Sequence, residues 1–326
     1  ENGLTSVSVA AAYHAGKFLA PHNPMRKVVF LEDGTVYFNP HPKLYGRIKP
    51  LVNSLVAKGH SIDRVKHHAS ALDLDTRAWV VCCHNTPLGM KHPEIVCRDV
   101  FGDPIYHNLC PSNPHVRRYL AALVKDISSR GIGTIELEAM QFQGYAHGFH
   151  HESEGITLPP PVRFFLGVCF CASCREAATA SGLDWKSIEK YTKSTLESYF
   201  ADPEQQEEQL STMNDLPGEM FNPMYEWRKS VIVSLAKELA DSTAATLRPL
   251  VSLDPAARLT VGMDPAKVSA LSGGVLVPGY VKDGNALLQP LAELLSMVGG
   301  KEVTVGFQVG LPESGGKKEF LDRMKT

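Results

Sequence analysis

The sequence predicts a (β/α)8 barrel, a ring of parallel strands in which each strand is followed by a helix. Short apolar runs with strand character alternate with helical patterns, eight strand candidates occur in all, and polar residues recur where those candidates end. A doubly wound open sheet is the alternative, but no glycine-rich phosphate loop follows the first predicted strand. The 326 residues suit one barrel with long loops after the fourth and fifth strands, so we expect 1–326 to form a single domain.

The predicted strands are short runs rich in β-branched and aromatic residues. Asp33-Gly34 separates two such runs and is a hairpin signal, so either one arm is the second strand or the hairpin forms a lid outside the barrel. In chain order the predicted strands cover residues 6–13, one arm of 27–38, 77–84, 134–140, 163–169, 258–263, 275–280 and 302–309.

Helical patterns separate these strands. Asn113-Pro114 combines a capping residue with a first-turn proline, which predicts a helix from this point to about Ser129. The acidic, apolar-poor segment 202–209 is read as a solvated helix or loop between the fifth and sixth strands. The other predicted helices cover residues 61–73, 225–247, 286–297 and 314–325.

Glu136 and Glu138, on the fourth predicted strand, are the most informative residues of the chain. Apolar and polar positions alternate through Gly133–Met140, so both carboxylates project from one face, about 6.5–7 Å apart. Two like charges on a dry face must be protonated, paired or solvated, which is costly unless they are used. An edge strand with a wet face is the alternative interpretation.

Other polar residues lie where predicted strands end, which is where barrels of this class place their active sites. The alternation also places Ser8 and His14 inward on the first strand and Thr304 inward on the eighth. A lone inward polar residue is usually a satisfied core group, so the weight lies in the convergence from several strands. The strand-end residues are His14, His84, Asn85, Glu138, Cys169, Asp264, Tyr280 and Gln308.

The loop over residues 141–152 is too long for a simple connector, which suggests a role in binding. It lacks the His-Glu-x-x-His order of zinc proteases, and Gly148 disfavours a regular helix. A sugar pocket is therefore favoured over a catalytic metal, with purely structural roles as the third interpretation. The loop residues assigned to the pocket are Tyr145, His147, Phe149, His150, His151 and Glu152.

The seven cysteines are an odd number without small-domain spacing, which favours free thiols and a cytoplasmic location. A signal peptide removed from the chain is the alternative to that location. Cys82 and Cys83 are expected to be core residues. Cys169, Cys171 and Cys174 could supply most of a zinc site, but the sequence fixes no fourth ligand. Packed thiols are therefore the favoured interpretation, and we expect neither a metal nor a cofactor.

The composition excludes several classes of partner. A net charge of −2 without a basic cluster argues against nucleic acid. No apolar run reaches the length needed to cross a bilayer, which argues against a membrane protein. The expected partner is a small-molecule or oligosaccharide substrate, and the sequence leaves open whether the chain forms a homo-oligomer.

Residues 107–140 resemble a recurring element of a bacterial barrel family of glycoside-hydrolase type. In that family an N-P-x-V-R-x-Y-L helix leads into a fourth strand of the form G-[IV]-D-G-I-x-L-[DE], and here the helix reads Asn-Pro-His-Val-Arg-Arg-Tyr-Leu from Asn113. The strand at Ala78-Trp79-Val80-Val81 and the Cys-Phe-Cys-x-x-Cys stretch also resemble members of this group. Thr134 and Glu136 depart from the pattern, because many relatives have aspartates there. The resemblance implies a general acid at Glu138 with Glu136 as a supporting carboxylate.

A glycoside hydrolase needs a proton for the leaving oxygen and a second carboxylate, or water activated by one, at the anomeric carbon. We expect Glu138 to be the acid, its pKa raised by Glu136, and Asp264 to be the partner carboxylate, with Glu152 as second choice. His14, His84, Asn85 and Gln308 are expected to bind hydroxyl groups, and Tyr145, Phe149 and Tyr280 to stack on a sugar ring. Two alternatives stay open: a metal-dependent hydrolase or isomerase that uses the loop histidines, and a non-catalytic carbohydrate-binding barrel.

Overall fold

The computed structural model describes residues 4–145, 152–207, 209–281, 283–307 and 318, and shows a mixed α/β protein. Its strands are β1 (Ser6–Tyr13), β2 (Gly16–Leu19), β3 (Val28–Leu31), β4 (Thr35–Val36), β5 (Leu51–Val52), β6 (Asp75–Val81), β7 (Val96–Arg98), β8 (Pro104–Leu109), β9 (Thr134–Glu138), β10 (Thr246–Pro249), β11 (Gly274–Pro278) and β12 (Glu302–Gly306).

The α-helices lie between these strands in the chain. They are α1 (Ser54–Ala57), α2 (Ile62–Ser70), α3 (Thr86–Lys91), α4 (Pro114–Ser129), α5 (Pro160–Gly167), α6 (Ala172–Ala180), α7 (Trp185–Ala201), α8 (Pro203–Glu207), α9 (Gly218–Asp241), α10 (Pro255–Val261), α11 (Pro265–Ala270) and α12 (Asn285–Met297). A short 3₁₀ turn covers Met213–Asp215. No helix in the described ranges has both the length and the apolar character needed to cross a membrane.

The main sheet has the strand order β10-β9-β6-β1-β4-β5. Strands β1, β6, β9 and β10 are parallel, β4 is antiparallel to β1, and β11 pairs with β12 in a second parallel sheet. A parallel bridge between Leu250 and Leu276 joins the end of β10 to β11. The strands β1, β6, β9, β10, β11 and β12 therefore lie side by side in chain order, and helices connect them. Across the described residues these pairings do not close into a ring.

Several predicted elements are confirmed. Strand β1 covers the predicted 6–13, and β6, β9, β11 and β12 occupy the predicted third, fourth, seventh and eighth positions. Helix α4 covers the predicted range. It begins at Pro114 because Asn113 caps it, accepting hydrogen bonds from the N–H groups of His115 and Val116 at 2.9 and 3.4 Å. The predicted helix over 314–325 falls almost entirely beyond the described residues.

The predicted fifth and sixth strands are wrong. Segment 163–169 lies mainly in α5, which begins at Pro160 and buries Phe164 and Phe165 against the core. Segment 258–263 belongs mainly to α10, where Asp254 caps the first turn and Gly262, at φ +76°, ends the helix. Strand β10 lies instead where the sequence was read as the end of the long helix, which stops at Asp241.

A network of charged side chains joins the amino-terminal halves of the parallel strands. Ser8 on β1 donates a hydrogen bond to buried Glu136 on β9, and Arg77 on β6 lies 3.6 Å from the same carboxylate. Between β10 and β12, Arg248 donates two hydrogen bonds to Glu302, at 2.5 and 2.6 Å. The charge of Arg77 also contributes to the lowered pKa of Glu302, after the hydrogen bond from Arg248. Arg77 of β6 and Glu302 of β12 therefore interact electrostatically.

Candidate active site at the strand ends

The register of the parallel strands brings Glu138 to the carboxyl end of the sheet. Val81, the last residue of β6, is paired with Glu138, the last residue of β9, and the Cys82 N–H donates to the Glu138 carbonyl at 2.9 Å. The adjoining β1 contains a bulge between Ala10 and Ala12, so its register against β6 shifts by one residue near the same end. Bulges turn side chains from one face to another, and here both Tyr13 and His14 reach the neighbourhood of Glu138.

Glu138 lies between an indole and an imidazole. The Nε1–H of Trp79 donates to Oε2 at 2.5 Å, and His14 Nε2 lies 3.8 Å from Oε1. The carboxylate side chain is 25% exposed, so it is open to a ligand but screened from bulk water on several sides. Both contacts favour the ionised carboxylate.

His14 is held in a position to carry a proton. Its Nδ1 bonds to the Ala15 carbonyl at 2.7 Å, which fixes the ring with Nε2 towards Glu138. The carboxylate of Glu138 raises the pKa of His14, burial opposes this, and the Ala15 carbonyl and the charge of Asp33 add to the rise. Asp33 in turn accepts the Ala15 N–H at 3.0 Å. A second carboxylate therefore lies next to the His14–Glu138 pair.

Aromatic rings line this end of the sheet. His14 stacks on Tyr13 with ring centroids 4.3 Å apart and on His84 at 5.5 Å, and His84 meets His107 edge-on at 5.7 Å. Tyr280, which follows β11, is 47% exposed, and its pKa is raised by burial and by the charge of Glu138. Rings beside a carboxylate form the kind of surface on which sugar rings stack.

The backbone directly after Glu138 is strained. Ala139 has φ +55°, a left-handed conformation that is uncommon for a residue other than glycine. Ala139 is buried, and its carbonyl accepts the Cys83 N–H at 2.9 Å, which helps hold the conformation. Such strain is often kept at functional sites, where the surrounding structure compensates for it.

Two predicted site residues, Glu136 and Asn85, have structural partners. Glu136 is buried, accepts a hydrogen bond from Ser8 and lies 3.6 Å from the Arg77 guanidinium, so its carboxylate is paired within the sheet. Asn85 caps α3 by accepting the Leu88 N–H at 3.0 Å and donates to the Gly34 carbonyl at 3.0 Å.

Asp264 requires a correction. It was chosen as an inward residue at the end of a sixth strand, but that strand does not exist, and Asp264 is the N-cap of α11. Its carboxylate accepts the Lys267 N–H at 3.0 Å and lies 3.3 Å from the Lys267 ammonium group. The reason for naming it as the partner of Glu138 is therefore lost.

The loop after β9 borders a separate cavity of about 350 Å³. Tyr145 and Glu152 line it, together with His107 and the acidic residues Asp99 and Asp103. Since His107 contacts His84, this cavity lies beside the ring cluster that leads to Glu138. The predicted pocket residues His147, Phe149, His150, His151 and Gln308 lie outside the described residues.

The fold brings a fourth cysteine next to the three cysteines that the sequence had grouped together. Cys110, at the end of β8, joins Cys169, Cys171 and Cys174, and the four sulfur atoms all lie within 4.8 Å of one another. All four side chains are buried, and the cysteines are free thiols. Two signals could have found this cluster: Cys171-Ala-Ser-Cys174 is itself a Cys-x-x-Cys pair, and Cys110 precedes the predicted helix cap at Asn113. Cys82 and Cys83 are buried core residues, as expected.

Sequence reasoning also missed side chains around Glu138. Trp79 was used only as a strand signal and Asp33 only as a turn residue, and Tyr13 was not named as a site residue. The alternation on β6 places Arg77 and Trp79 on one face, as Glu136 and Glu138 are on β9, which is the signal that could have paired Trp79 with Glu138.

No protein-family model and no curated protein matches the chain. Among solved structures, a β-galactosidase from the psychrophilic Marinomonas ef1 is similar at 10% identity and a TM-score of 0.41, covering 71% of this chain and 34% of that one. An α-L-fucosidase isoenzyme from Paenibacillus thiaminolyticus has 11% identity and a TM-score of 0.41, covering 88% of this chain and 40% of that one. An exo-β-N-acetylglucosaminidase from Vibrio harveyi in complex with N-acetylglucosamine has 10% identity and a TM-score of 0.31, covering 75% of this chain and 27% of that one. The chain thus spans well under half of the length of these glycoside hydrolases, to which its likeness is low.

Proposed function

We propose that this chain is a glycoside hydrolase-like enzyme, folded as one (β/α)8-type barrel domain, that cleaves a glycosidic bond at the carboxyl ends of its strands. The observation that carries the proposal is the position of Glu138. It is a partly exposed carboxylate at a strand end, fixed by Trp79 and His14 and bordered by the rings of Tyr13 and Tyr280. The substrate class is a small glycoside or an oligosaccharide, and the proposed reaction uses carboxylate acid and base chemistry without a cofactor.

In the proposed reaction Glu138 gives its proton to the leaving glycosidic oxygen. Because the pKa of His14 is raised and the ring faces Glu138, the two side chains can share a proton, and His14 can return a proton to Glu138 after each turnover. The second carboxylate, which attacks the anomeric carbon or takes a proton from the attacking water, is proposed to be Asp33, which lies near His14. Glu152, beside the adjoining cavity, is the second choice.

One observation favours a second role for the same residue. Both neighbours of Glu138 stabilise its ionised form, and an ionised carboxylate suits a nucleophile that attacks the anomeric carbon. In either role Glu138 touches the reacting atoms, so its replacement lowers turnover. The dependence on the leaving group separates the two roles.

The experiment is to measure turnover and ligand binding for Glu138→Gln. The chain is screened on a panel of nitrophenyl glycosides to find the sugar that it accepts. The methyl glycoside or oligosaccharide of that sugar, whose leaving group needs protonation, is then assayed with the parent, Glu138→Gln and Glu197→Gln, an exposed helix glutamate that serves as the matched control. We expect Glu138→Gln to lower turnover by about 10²–10⁴-fold while it still binds the sugar, and Glu197→Gln to match the parent. Near-parental turnover by a folded Glu138→Gln variant contradicts the proposal. A parent that binds sugars but cleaves no glycoside of the panel indicates the non-catalytic carbohydrate-binding barrel instead.

A further inference from the structure

Four buried thiols from two distant parts of the chain meet beside the candidate active site. Cys110 follows β8, whereas the other three flank the first turn of α6, with Cys171 as its N-cap. The sulfur of Cys110 lies 3.5 Å from that of Cys174, 3.6 Å from that of Cys171 and 3.9 Å from that of Cys169. A disulfide would require sulfur atoms about 2.05 Å apart, so the arrangement is not that of two disulfides.

We propose that Cys110, Cys169, Cys171 and Cys174 bind one Zn²⁺ ion as a structural site. Zinc binds thiolate sulfur at about 2.3 Å in tetrahedral geometry, which places the ligand sulfur atoms about 3.8 Å apart. The sulfur separations around Cys110 match that value without any rearrangement. The donor set is complete with four protein ligands, so the site is closed to substrate and acts in folding, not in the chemical step.

A buried arginine supplies independent support. Arg228 is 2% exposed, and within the described residues it forms no ion pair with a carboxylate. Its Nη2 donates to the Thr260 carbonyl at 2.7 Å and its guanidinium lies over the Phe142 ring. The charge interacts electrostatically with the thiols of Cys174, Cys97 and Cys169. A buried cation needs an opposite charge.

Zinc binding would provide that charge. The four thiols lose their protons to solvent when they bind Zn²⁺, and four thiolates around one divalent ion leave a net charge of −2 at the site. Neutral thiols would leave the guanidinium of Arg228 without compensation in the core. The zinc site therefore accounts for both the clustered sulfur atoms and the buried cation.

The location of the cluster suggests what the ion does. Cys110 follows Asn108, which donates to the Gly144 carbonyl at 2.8 Å, and His107, which contacts His84. The bound ion would join the end of β8 to the start of α6 in the region where the sequence had predicted a fifth strand. It would thus hold His107 and the loop after β9 in place next to Glu138.

The test is to measure metal content in full-length protein purified without a histidine tag, with Cys174→Ser as the variant and Cys82→Ser as the control. Cys82 is a buried cysteine outside the cluster, so its substitution has a similar packing cost. We expect the parent and Cys82→Ser to contain stoichiometric zinc. Cys174→Ser should bind zinc more than about 100-fold more weakly, since losing even an outer partner of a ligand typically costs 10–100-fold. Replacing zinc with cobalt should give the visible bands of a tetrahedral thiolate complex in the parent.

Three outcomes would overturn the inference. The first is a folded parent that contains no metal and whose four cluster thiols react freely after denaturation. The second is a disulfide among the four cysteines, and the third is iron in place of zinc. If Cys174→Ser does not fold, reversible removal of zinc from the parent by a chelator, followed by a loss of thermal stability that zinc restores, gives the same information. None of these readouts uses glycosidase activity, so the zinc site can fail or succeed independently of the proposed function.

Discussion

Asn85 was predicted to bind sugar hydroxyls, but its contacts predict that substituting it destabilises the fold. Its side-chain oxygen caps α3, and its amide donates to the Gly34 carbonyl. Replacing a capping asparagine with alanine costs about 1 kcal/mol. Leaving a buried carbonyl without its donor costs about 1–3 kcal/mol more. Because Asn85 is only 6% exposed, water replaces these bonds poorly. We therefore expect Asn85→Ala to lower the free energy of unfolding by about 2–4 kcal/mol.

The assay is urea denaturation of the parent, Asn85→Ala and Asn85→Asp, followed by circular dichroism and tryptophan fluorescence. Asn85→Asp keeps the capping oxygen but loses the donor to Gly34 and buries an unpaired charge, so it should be at least as destabilised as Asn85→Ala. Asn23, an exposed turn residue whose side chain also accepts backbone N–H groups, provides the control variant Asn23→Ala, with a smaller effect. An Asn85→Ala variant as stable as the parent but with weakened sugar binding would refute the structural role and restore the predicted one.

Two further predictions concern the neighbours of Glu138. Trp79→Phe removes a donor that favours the ionised carboxylate, so the pKa of Glu138 should rise and the alkaline limb of the pH–rate profile should move to higher pH. If turnover falls while the alkaline limb of the pH–rate profile stays at the same pH, Trp79 contributes only packing to the site. His14→Asn should destabilise the protein most at low pH. The folded pKa of His14 is raised, so its pairing with Glu138 contributes fully below about pH 6.5 and is lost as pH rises through the folded value. A stability difference that grows with pH would contradict this.

The sequence predicts an element correctly where the residues that determine the element are neighbours in the chain. The cap at Asn113 and the alternation through β9 each depend on neighbouring residues alone, and both predict the observed elements. The predicted fifth and sixth strands failed because Phe164 and Leu259 belong to short helices that are stabilised by burial and by caps. A run of apolar residues flanked by prolines does not distinguish a short buried helix from a strand.

The sequence predicts the carboxylate of the candidate site, Glu138 at a strand end, but it does not predict the side chains that surround this carboxylate. Tyr13 reaches Glu138 through a bulge in β1, which no alternation pattern reveals. The contact between Asp33 and Ala15, like the meeting of Cys110 with Cys174, joins residues whose proximity depends on the tertiary fold. Asp264 shows the reverse error, in which a correct helix cap was read as the end of a strand.

The central claim is that Glu138 protonates the leaving group, and the most direct test is the effect of Glu138→Gln across aryl glycosides whose leaving groups differ in acidity. A phenol that leaves readily needs little protonation. The account therefore predicts a loss in kcat/KM of about 10²–10⁴-fold on poor leaving groups that shrinks steadily as the leaving group improves. An equal loss on every leaving group would contradict the proton-donor role and assign Glu138 to nucleophilic attack or to holding the site together.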